Sequence, residues 1–164
     1  MLEEVLADYL RLMDPNHPDI LLTRANLAWW RGEAGNAAGA VTAFAELLLD
    51  QERILGPDHP ETLAARAKIA VCQGQAGDVA GTVTTLEELL ADCLKLLGPD
   101  HPDTLATRNE LAWWRGEAED AAVAATAYAE LLIDYEQIFG PDHPHTLNVR
   151  DNLALWQRKA SGVQ

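Results

Sequence analysis

Two hydrophobic rhythms alternate along the chain. The shorter is typified by Thr62, Leu63, Arg66, Ile69 and Ala70, the longer by Ala40, Phe44, Leu47, Leu48, Ile54 and Leu55. Both place apolar residues three and four positions apart, as a helix with one buried face requires. The shorter element, helix A, opens at a His-Pro step. Proline suits the first helical position, and the Asp-His pair before it can supply the cap. A glycine (Gly32, Gly74 or Gly116) is expected to stop it. After a short loop Asn36, Asp78 and Asp120 are suited to cap helix B, which runs to the next Gly-Pro. At about 20 residues and 1.5 Å per residue, helix B is about 30 Å long.

The alternation is periodic. Pro57-Asp58-His59, Pro99-Asp100-His101 and Pro141-Asp142-His143 recur every 42 residues, with Pro15-Asn16-His17 as a variant, and a proline follows each histidine. Trp29-Trp30-Arg31-Gly32-Glu33-Ala34 returns unchanged as Trp113-Trp114-Arg115-Gly116-Glu117-Ala118. About two-thirds of the positions from His17 to Leu55 are identical in the stretch His101 to Phe139. A single helix pair cannot bury both apolar faces, so successive pairs must stack. The expected organisation is a partial repeat over 1–14 (helix B only), repeats over 15–56, 57–98 and 99–140, and a partial repeat over 141–164 (helix A only). That predicts an all-α array of about seven antiparallel helices without strands. Neither end carries a capping pattern, which fits a segment of a longer array.

Composition narrows the function. Twelve Lys and Arg stand against 26 Asp and Glu, a formal net charge of −14. No basic stripe exists to displace counterions from a phosphate backbone, so neither nucleic acid nor an anionic membrane is an expected partner. Met1-Leu2-Glu3-Glu4 is acidic and lacks a basic signal-peptide start. No apolar run reaches membrane-spanning length. Cys72 and Cys93 form no CxxC and no disulfide framework, in keeping with a reducing compartment. The expected location is cytoplasmic.

These features resemble the tetratricopeptide repeat in a long, 42-residue form. The Leu27-Ala28, Leu111-Ala112 and Leu153-Ala154 steps, with Ile69-Ala70, match the family's Leu-Gly step. Gly35 and Gly77 match its inter-helix glycine, Ala40 and Ala124 its small packing residue, and Phe44 and Tyr128 its helix B aromatic. Arg24, Arg66, Arg108 and Arg150 depart from it by replacing an early aromatic, and Glu119 and Thr82 depart at two small-residue sites. The Gly-Pro-Asp-His-Pro-x-Thr-Leu signature is similar to that of kinesin light chains and of the C-terminal repeats of bacterial and fungal signalling NTPases of the STAND and NB-ARC type. The resemblance implies a right-handed α-solenoid that binds a peptide or protein, as the sensor or adaptor segment of a larger signalling protein. An NTPase domain would lie outside this chain, which has no GxxxxGK[ST].

In this family helix A lines the concave wall. The resemblance therefore places five columns in a groove: Leu22/Ala64/Ala106/Asn148, Ala25/Ala67/Asn109/Asp151, Asn26/Lys68/Glu110/Asn152, Trp29/Val71/Trp113/Leu155 and Glu33/Gln75/Glu117/Lys159. Residues that vary between repeats while facing a groove are recognition candidates, which selects Asn26, Trp29, Lys68, Asn109, Trp113 and Asn152. The rings of Trp29 and Trp113 either offer area to a peptide, with amides pairing its backbone, or fold down on the next repeat. Trp30, Trp114 and Trp156, one residue on, are expected in the core.

Other chemistry is weaker. Equivalent loop histidines sit about 10 Å apart in stacked pairs, whereas zinc needs its ligands at about 2 Å, so capping is preferred to metal binding. His145 is expected at the surface. Cys72 stands where Trp30 and Trp114 do and is expected to be a small core residue. Cys93 replaces Gln51 and Tyr135 and is expected to be partly exposed. The helix B carboxylates (Glu46, Asp50, Glu87, Glu88, Asp92, Glu130, Asp134) are most simply a solvated face. No catalytic residue, cofactor or metal is assigned, and an enzyme is not expected.

One charge pattern is structural. Every helix B carries an Asp at one place (Asp8, Asp50, Asp92, Asp134), and every helix A an Arg at another (Arg24, Arg66, Arg108, Arg150). Across each B-to-A turn the two stand level, predicting Asp8–Arg24, Asp50–Arg66, Asp92–Arg108 and Asp134–Arg150 pairs, partly buried. The alternative joins each Arg to the Asp of its own repeat, as Arg24 to Asp50. The function expected is thus a protein–protein interaction module. Its rival is a structural spacer or self-assembling array that stacks head to tail through uncapped ends.

Overall fold

In a computed structural model the described residues are 2–12, 17–118 and 120–162, and among them there are eight helices and no strand. They are α1 (Leu2–Leu12), α2 (Pro18–Glu33), α3 (Ala37–Ile54), α4 (Pro60–Gln75), α5 (Val79–Leu96), α6 (Pro102–Ala118), α7 (Ala121–Phe139) and α8 (Pro144–Ser161). The expected count of seven is corrected to eight. A leading B helix, three A/B pairs and a trailing A helix make eight, so each expected element is present. The chain forms two compact units, Met1–Asp78 and Val79–Gln164.

The caps follow from the His-Pro step. Proline opens α2, α4 and α8, and the imidazole before it does the capping. Nδ1 of His17, His59, His101 and His143 accepts the backbone N–H of Asp19, Glu61, Asp103 and His145 at 3.2–3.3 Å. Each bond satisfies one of the N–H groups that a helix start leaves unpaired. Asn36 and Asp120 cap α3 and α7 by accepting from Gly39 and Ala122.

Helix A does not stop at Gly32, Gly74 and Gly116, which lie inside α2, α4 and α6. The reversal falls three residues later, where Gly35 (φ +87°) and Gly77 (φ +105°) take the left-handed conformation that a side chain disfavours; their counterpart Glu119 lies outside the described residues. The in-helix glycines serve packing instead. A Cβ on Gly116 would stand 2.6 Å from the Ala124 Cβ and 2.7 Å from the Trp156 ring. One on Gly32 would stand 3.4 Å from the Ala40 Cβ and 3.6 Å from the Cys72 sulfur. Trp156 and Cys72 occupy the same repeat position, so the bulk of one residue decides how close the helices must come.

In the first unit Leu21, Ala28, Ala40, Phe44, Leu47 and Cys72 form the buried cluster. In the second Leu105, Ala112, Ala124, Tyr128, Leu131, Tyr135, Val149 and Trp156 do so. Each cluster draws on a helix A, the following helix B and the next helix A.

The expected ion-pair ladder is corrected. Arg24 Nη1 donates to Asp50 Oδ2 at 2.7 Å, and Arg108 Nη1 to Asp134 Oδ2 at 2.6 Å, each within its own repeat. Arg150 turns to Glu136 (2.8 Å) and the Pro141 carbonyl (3.4 Å) rather than to Asp134. Asp8 meets Arg11 of its own helix at 3.7 Å. Chain distance sets both candidate partners level with the Arg, so the helix face decides. Arg24 follows Leu21 by three residues and precedes Ala28 by four; Asp50 follows Leu47 by three. All of these face the α2–α3 seam. The pairs are partly buried, with Arg24 26% and Asp50 33% exposed. The Arg24 hydrogen bond is the main cause that holds the Asp50 carboxyl below its usual range, against the opposing effect of burial; the Arg24 charge and Arg53 add to it.

Gly116→Ala should destabilise the protein by about 1–3 kcal/mol through overpacking. Gly32→Ala should be near neutral or stabilising, because the gain in helix propensity of about 1 kcal/mol meets no clash; urea titration of both variants compares them. For the ion pair, a double-mutant cycle of Arg24→Ala with Asp50→Asn should give a coupling on the order of 1 kcal/mol at neutral pH, and an Asp8–Arg24 cycle none. Since folding lowers the Asp50 pKa, the contribution is present above the unfolded value of 3.8 and fades as pH falls through the folded one. Unfolding titrations from pH 6 to pH 2 should therefore show the cost of Arg24→Ala shrinking towards the acid end.

Candidate functional site

Helices α2 and α4 stand side by side over α3 and leave an open cavity of about 360 Å³ between them. Leu22, Ala25, Asn26 and Trp29 come from α2, Ala64 and Lys68 from α4, and Phe44 and Gln51 from the α3 floor; Glu61 and Ala65 complete the lining. The walls are therefore mostly apolar. The Lys68 ammonium lies 4.0 Å from the centroid of the Trp29 ring, a cation–π contact that covers part of one aromatic face. Gln51 is only 3% exposed, yet its Oε1 has no hydrogen-bond partner. A buried amide atom left in that state costs about 1–3 kcal/mol.

The second unit carries a cavity of about 270 Å³ at the corresponding place, 84 residues on. Its lining is different. Ala106, Asn109, Glu110 and Asn148 replace Leu22, Ala25, Asn26 and Ala64; Tyr135 replaces Gln51, and His145 replaces Glu61. The Tyr128 hydroxyl donates to the Asn109 carbonyl at 3.0 Å, and the Asn152 amide reaches both the Tyr128 hydroxyl and Asn148 Oδ1 at 3.4 Å. Burial pushes the Tyr128 hydroxyl above the ordinary tyrosine range.

Of the six groove residues expected from the sequence, Asn26, Trp29 and Lys68 meet at the first cavity and Asn109 lines the second. Asn152 is tied to Tyr128. Trp113 lines neither cavity: it packs edge-on against Trp156, centroids 5.3 Å apart, with the Lys159 ammonium 4.0 Å from the Trp156 ring and 5.8 Å from its own. Both rings are partly buried and pack against their unit's core, and Trp29 in addition lines the first cavity. Gln51, Phe44, Tyr135 and His145 were not singled out as groove residues. Gln51 follows Leu47 by four residues on the apolar face of helix B, and a polar side chain in that register was the available signal.

Trp114 and Trp156 are buried as expected, but Trp30 is corrected: it is 60% exposed. In the second unit Trp114 runs beside α5, where Leu90 lies near Leu111 and Glu87 bonds Arg115; burial is set by the helix a ring meets and not by its own repeat position. Cys72 is buried, and burial raises its thiol pKa. Cys93, expected to be partly exposed, is 1% exposed, with its sulfur 3.9 Å from the Thr107 hydroxyl. Neither thiol is placed as an accessible nucleophile. Among the described residues no group of three or more His, Cys, Asp or Glu could hold a metal ion, and no helix is long and apolar enough to cross a membrane.

Three consecutive tetratricopeptide repeats match residues 20–61, 62–103 and 104–145. The chain belongs to the tetratricopeptide repeat family, whose members generally mediate protein–protein interaction or scaffolding. Among solved structures it is similar to the nearly identical TPR-like repeats of a putative kinesin light chain from Podosopora anserina, at 26% identity and a TM-score of 0.68, covering 98% of this chain and 76% of that one. A single-substitution variant of the same protein gives 26% identity and a TM-score of 0.70 over the same shares. BtubC (BKLC) from P. vanneervenii shares the fold at 15% identity, with a TM-score of 0.73 over 99% of this chain and 70% of that one. No curated protein sequence matches the chain.

The tryptophan environments make a direct comparison. Trp30→Ala should change stability by no more than about 0.5 kcal/mol. Trp114→Ala, at the same repeat position, should cost about 3–5 kcal/mol. Equal losses in urea unfolding would contradict the burial described.

Proposed function

We propose that this chain is a non-catalytic protein-interaction module that takes a peptide or partner domain on its helix A surface, with the α2–α4 cavity as the main point of recognition. One observation carries the reading. Asn26, Trp29 and Lys68, which come from two columns that vary along the array (Asn26/Lys68/Glu110/Asn152 and Trp29/Val71/Trp113/Leu155), meet around one open apolar cavity. An aromatic face beside an apolar recess is the kind of place where interfaces concentrate their energy. The net charge of −14 favours partners that are neutral or basic and disfavours nucleic acid and anionic membrane. A cytoplasmic sensor or adaptor role within a larger signalling protein is consistent with this chemistry.

The rival, head-to-tail self-stacking, draws on the exposed ring of Trp30. Sedimentation of dilute protein separates the two: a mass that rises with concentration, and falls back in Trp30→Lys, favours stacking.

Selection of a displayed random-peptide library on the purified chain, followed by amide chemical-shift mapping, tests the main reading. Selected peptides should perturb α2 and α4, and Trp29→Ala combined with Lys68→Ala should weaken them at least tenfold. Glu46→Ala and Glu88→Ala on helix B should leave them unchanged. Peptides that map to helix B, or a library that yields no binder, would overturn it.

A further inference from the structure

We infer that the second cavity, between α6 and α8, receives a lysine or arginine side chain of a partner protein, drawn by the carboxylates of Asp103 and Glu110. The inference rests on the helix A interaction function proposed above and adds a second, cation-selective contact to that surface.

Charge selects the occupant. The lining holds two carboxylates, Asp103 and Glu110, and no Lys or Arg. The Asp103 carboxylate lies 3.7 Å from Nδ1 of His101, but that nitrogen already accepts the Asp103 backbone N–H and so carries no proton for it. Among the described residues no Lys or Arg pairs with Asp103. Glu110 is engaged within the chain, yet its charge is felt at the cavity wall. Burial is the main cause that raises the Tyr135 hydroxyl pKa; Arg108 opposes it and Glu110 adds to it. Arg108 is itself neutralised by Asp134 at 2.6 Å. A recess with carboxylates of one sign and low-dielectric walls concentrates their field on whatever enters it.

Tyr135 supplies an acceptor independently of the carboxylates. The residue is 6% exposed, yet its hydroxyl makes no hydrogen bond among the described residues and is not sealed from solvent, so it opens to the cavity that the ring lines. A phenol oxygen accepts from an ammonium or a guanidinium. Ala106, Phe139 and Val149 give the methylenes of either side chain an apolar wall, and long basic side chains bury their stems in that way while the head stays among polar groups. Asn109 Oδ1 is sealed from solvent and takes no part.

The first unit shows the complementary case. There the chain supplies its own cation: Lys68 stands 4.0 Å from the Trp29 ring, with the neutral Asn26 in the same lining. In the second unit, 84 residues on, Lys68 is replaced by Asn152 and Asn26 by Glu110. The internal cation is lost and a carboxylate is gained. The first cavity thus holds one acid and one base, Glu61 and Lys68, whereas the second holds two acids and needs its base from outside.

The test titrates the full chain by NMR at pH 8, where histidines are ordinarily neutral, with acetyl-Ala-Ala-Lys-Ala-Ala-amide and with versions carrying Arg, Gln or Glu at the centre. The Lys and Arg peptides should shift the Tyr135 and Phe139 ring signals and the Asn148 side-chain amide. They should bind roughly tenfold more tightly than the Gln peptide, the worth of one hydrogen bond to a charged group, and the Glu peptide should not bind. Asp103→Asn combined with Glu110→Gln should weaken the Lys and Arg peptides roughly fivefold or more. Glu46→Gln combined with Glu88→Gln on helix B, the same change of net charge, should leave them within about twofold. Melting curves check that both variants fold, and the wild-type comparison of Lys with Gln depends on neither. Equal binding of the Gln peptide would overturn the inference. So would equal losses in the two double variants, which would assign the attraction to net charge, or shifts confined to the first cavity or to helix B. If the Lys and Arg peptides leave α6 to α8 unshifted while library peptides still map to α2 and α4, this inference alone fails; if the library also fails, both fail.

Discussion

The structure depends on how closely neighbouring helices can approach where α2 meets α3 and α4, and where α6 meets α7 and α8. A helix pair has more apolar surface than its two members can cover, and the remainder is buried only if the next helix comes near. Glycine and alanine set that distance. At Gly116 and Ala124 the helices are so close that Trp156 lies on the bare backbone; at Gly32 and Ala40 the smaller Cys72 leaves more room. Core, seam and cavity in each unit follow from this spacing. Phe44 and Gln51 of α3 line the cavity between α2 and α4.

Polar groups are placed to tolerate that proximity. A guanidinium on the apolar stripe of helix A would be costly without a partner, and its partner is the carboxylate three residues past Leu47 or Leu131. The threonines that follow the His-Pro step are fully buried at Thr62, Thr104 and Thr146. Thr62 donates to the Gly56 carbonyl and Thr146 to that of Tyr135. These bonds tie the start of a helix A to the turn or helix before it. The Thr104 hydroxyl makes no such bond, and the Gln51 and Asn109 amide oxygens are likewise buried without a partner.

Helix type, order and caps were legible because they are local. A proline with histidine before it, and an apolar spacing of three and four, carry their physics within a few residues. The array and its family were legible from the 42-residue repetition. What failed depends on which neighbour a face meets. Sequence distance set Asp8 and Asp50 equally level with Arg24, and only the seam containing Leu21 and Leu47 chose between them. Identical text around Trp30 and Trp114 concealed opposite environments, because burial depends on the neighbouring helix and not on the repeat's own residues. The same holds at the site: Asn26, Trp29 and Lys68 were accessible from repeat variation, whereas Asn152 and Trp113 are engaged by Tyr128 and Trp156. Gln51 lay on the helix not assigned to the groove.

Each helix A carries its own imidazole cap within two residues of the bond it makes, and α3 and α7 carry theirs at Asn36 and Asp120. Each of these start signals is therefore contained within one period and borrows nothing from the next. A duplication or loss of 42 residues would add or remove a full set of start signals and leave every other helix with its own. An insertion of another length inside a helix would leave these caps intact but rotate the apolar positions beyond it off the buried face. Chains of this kind can lengthen and shorten by whole units at the level of the gene, each new unit arriving ready to fold and free to diverge at its cavity.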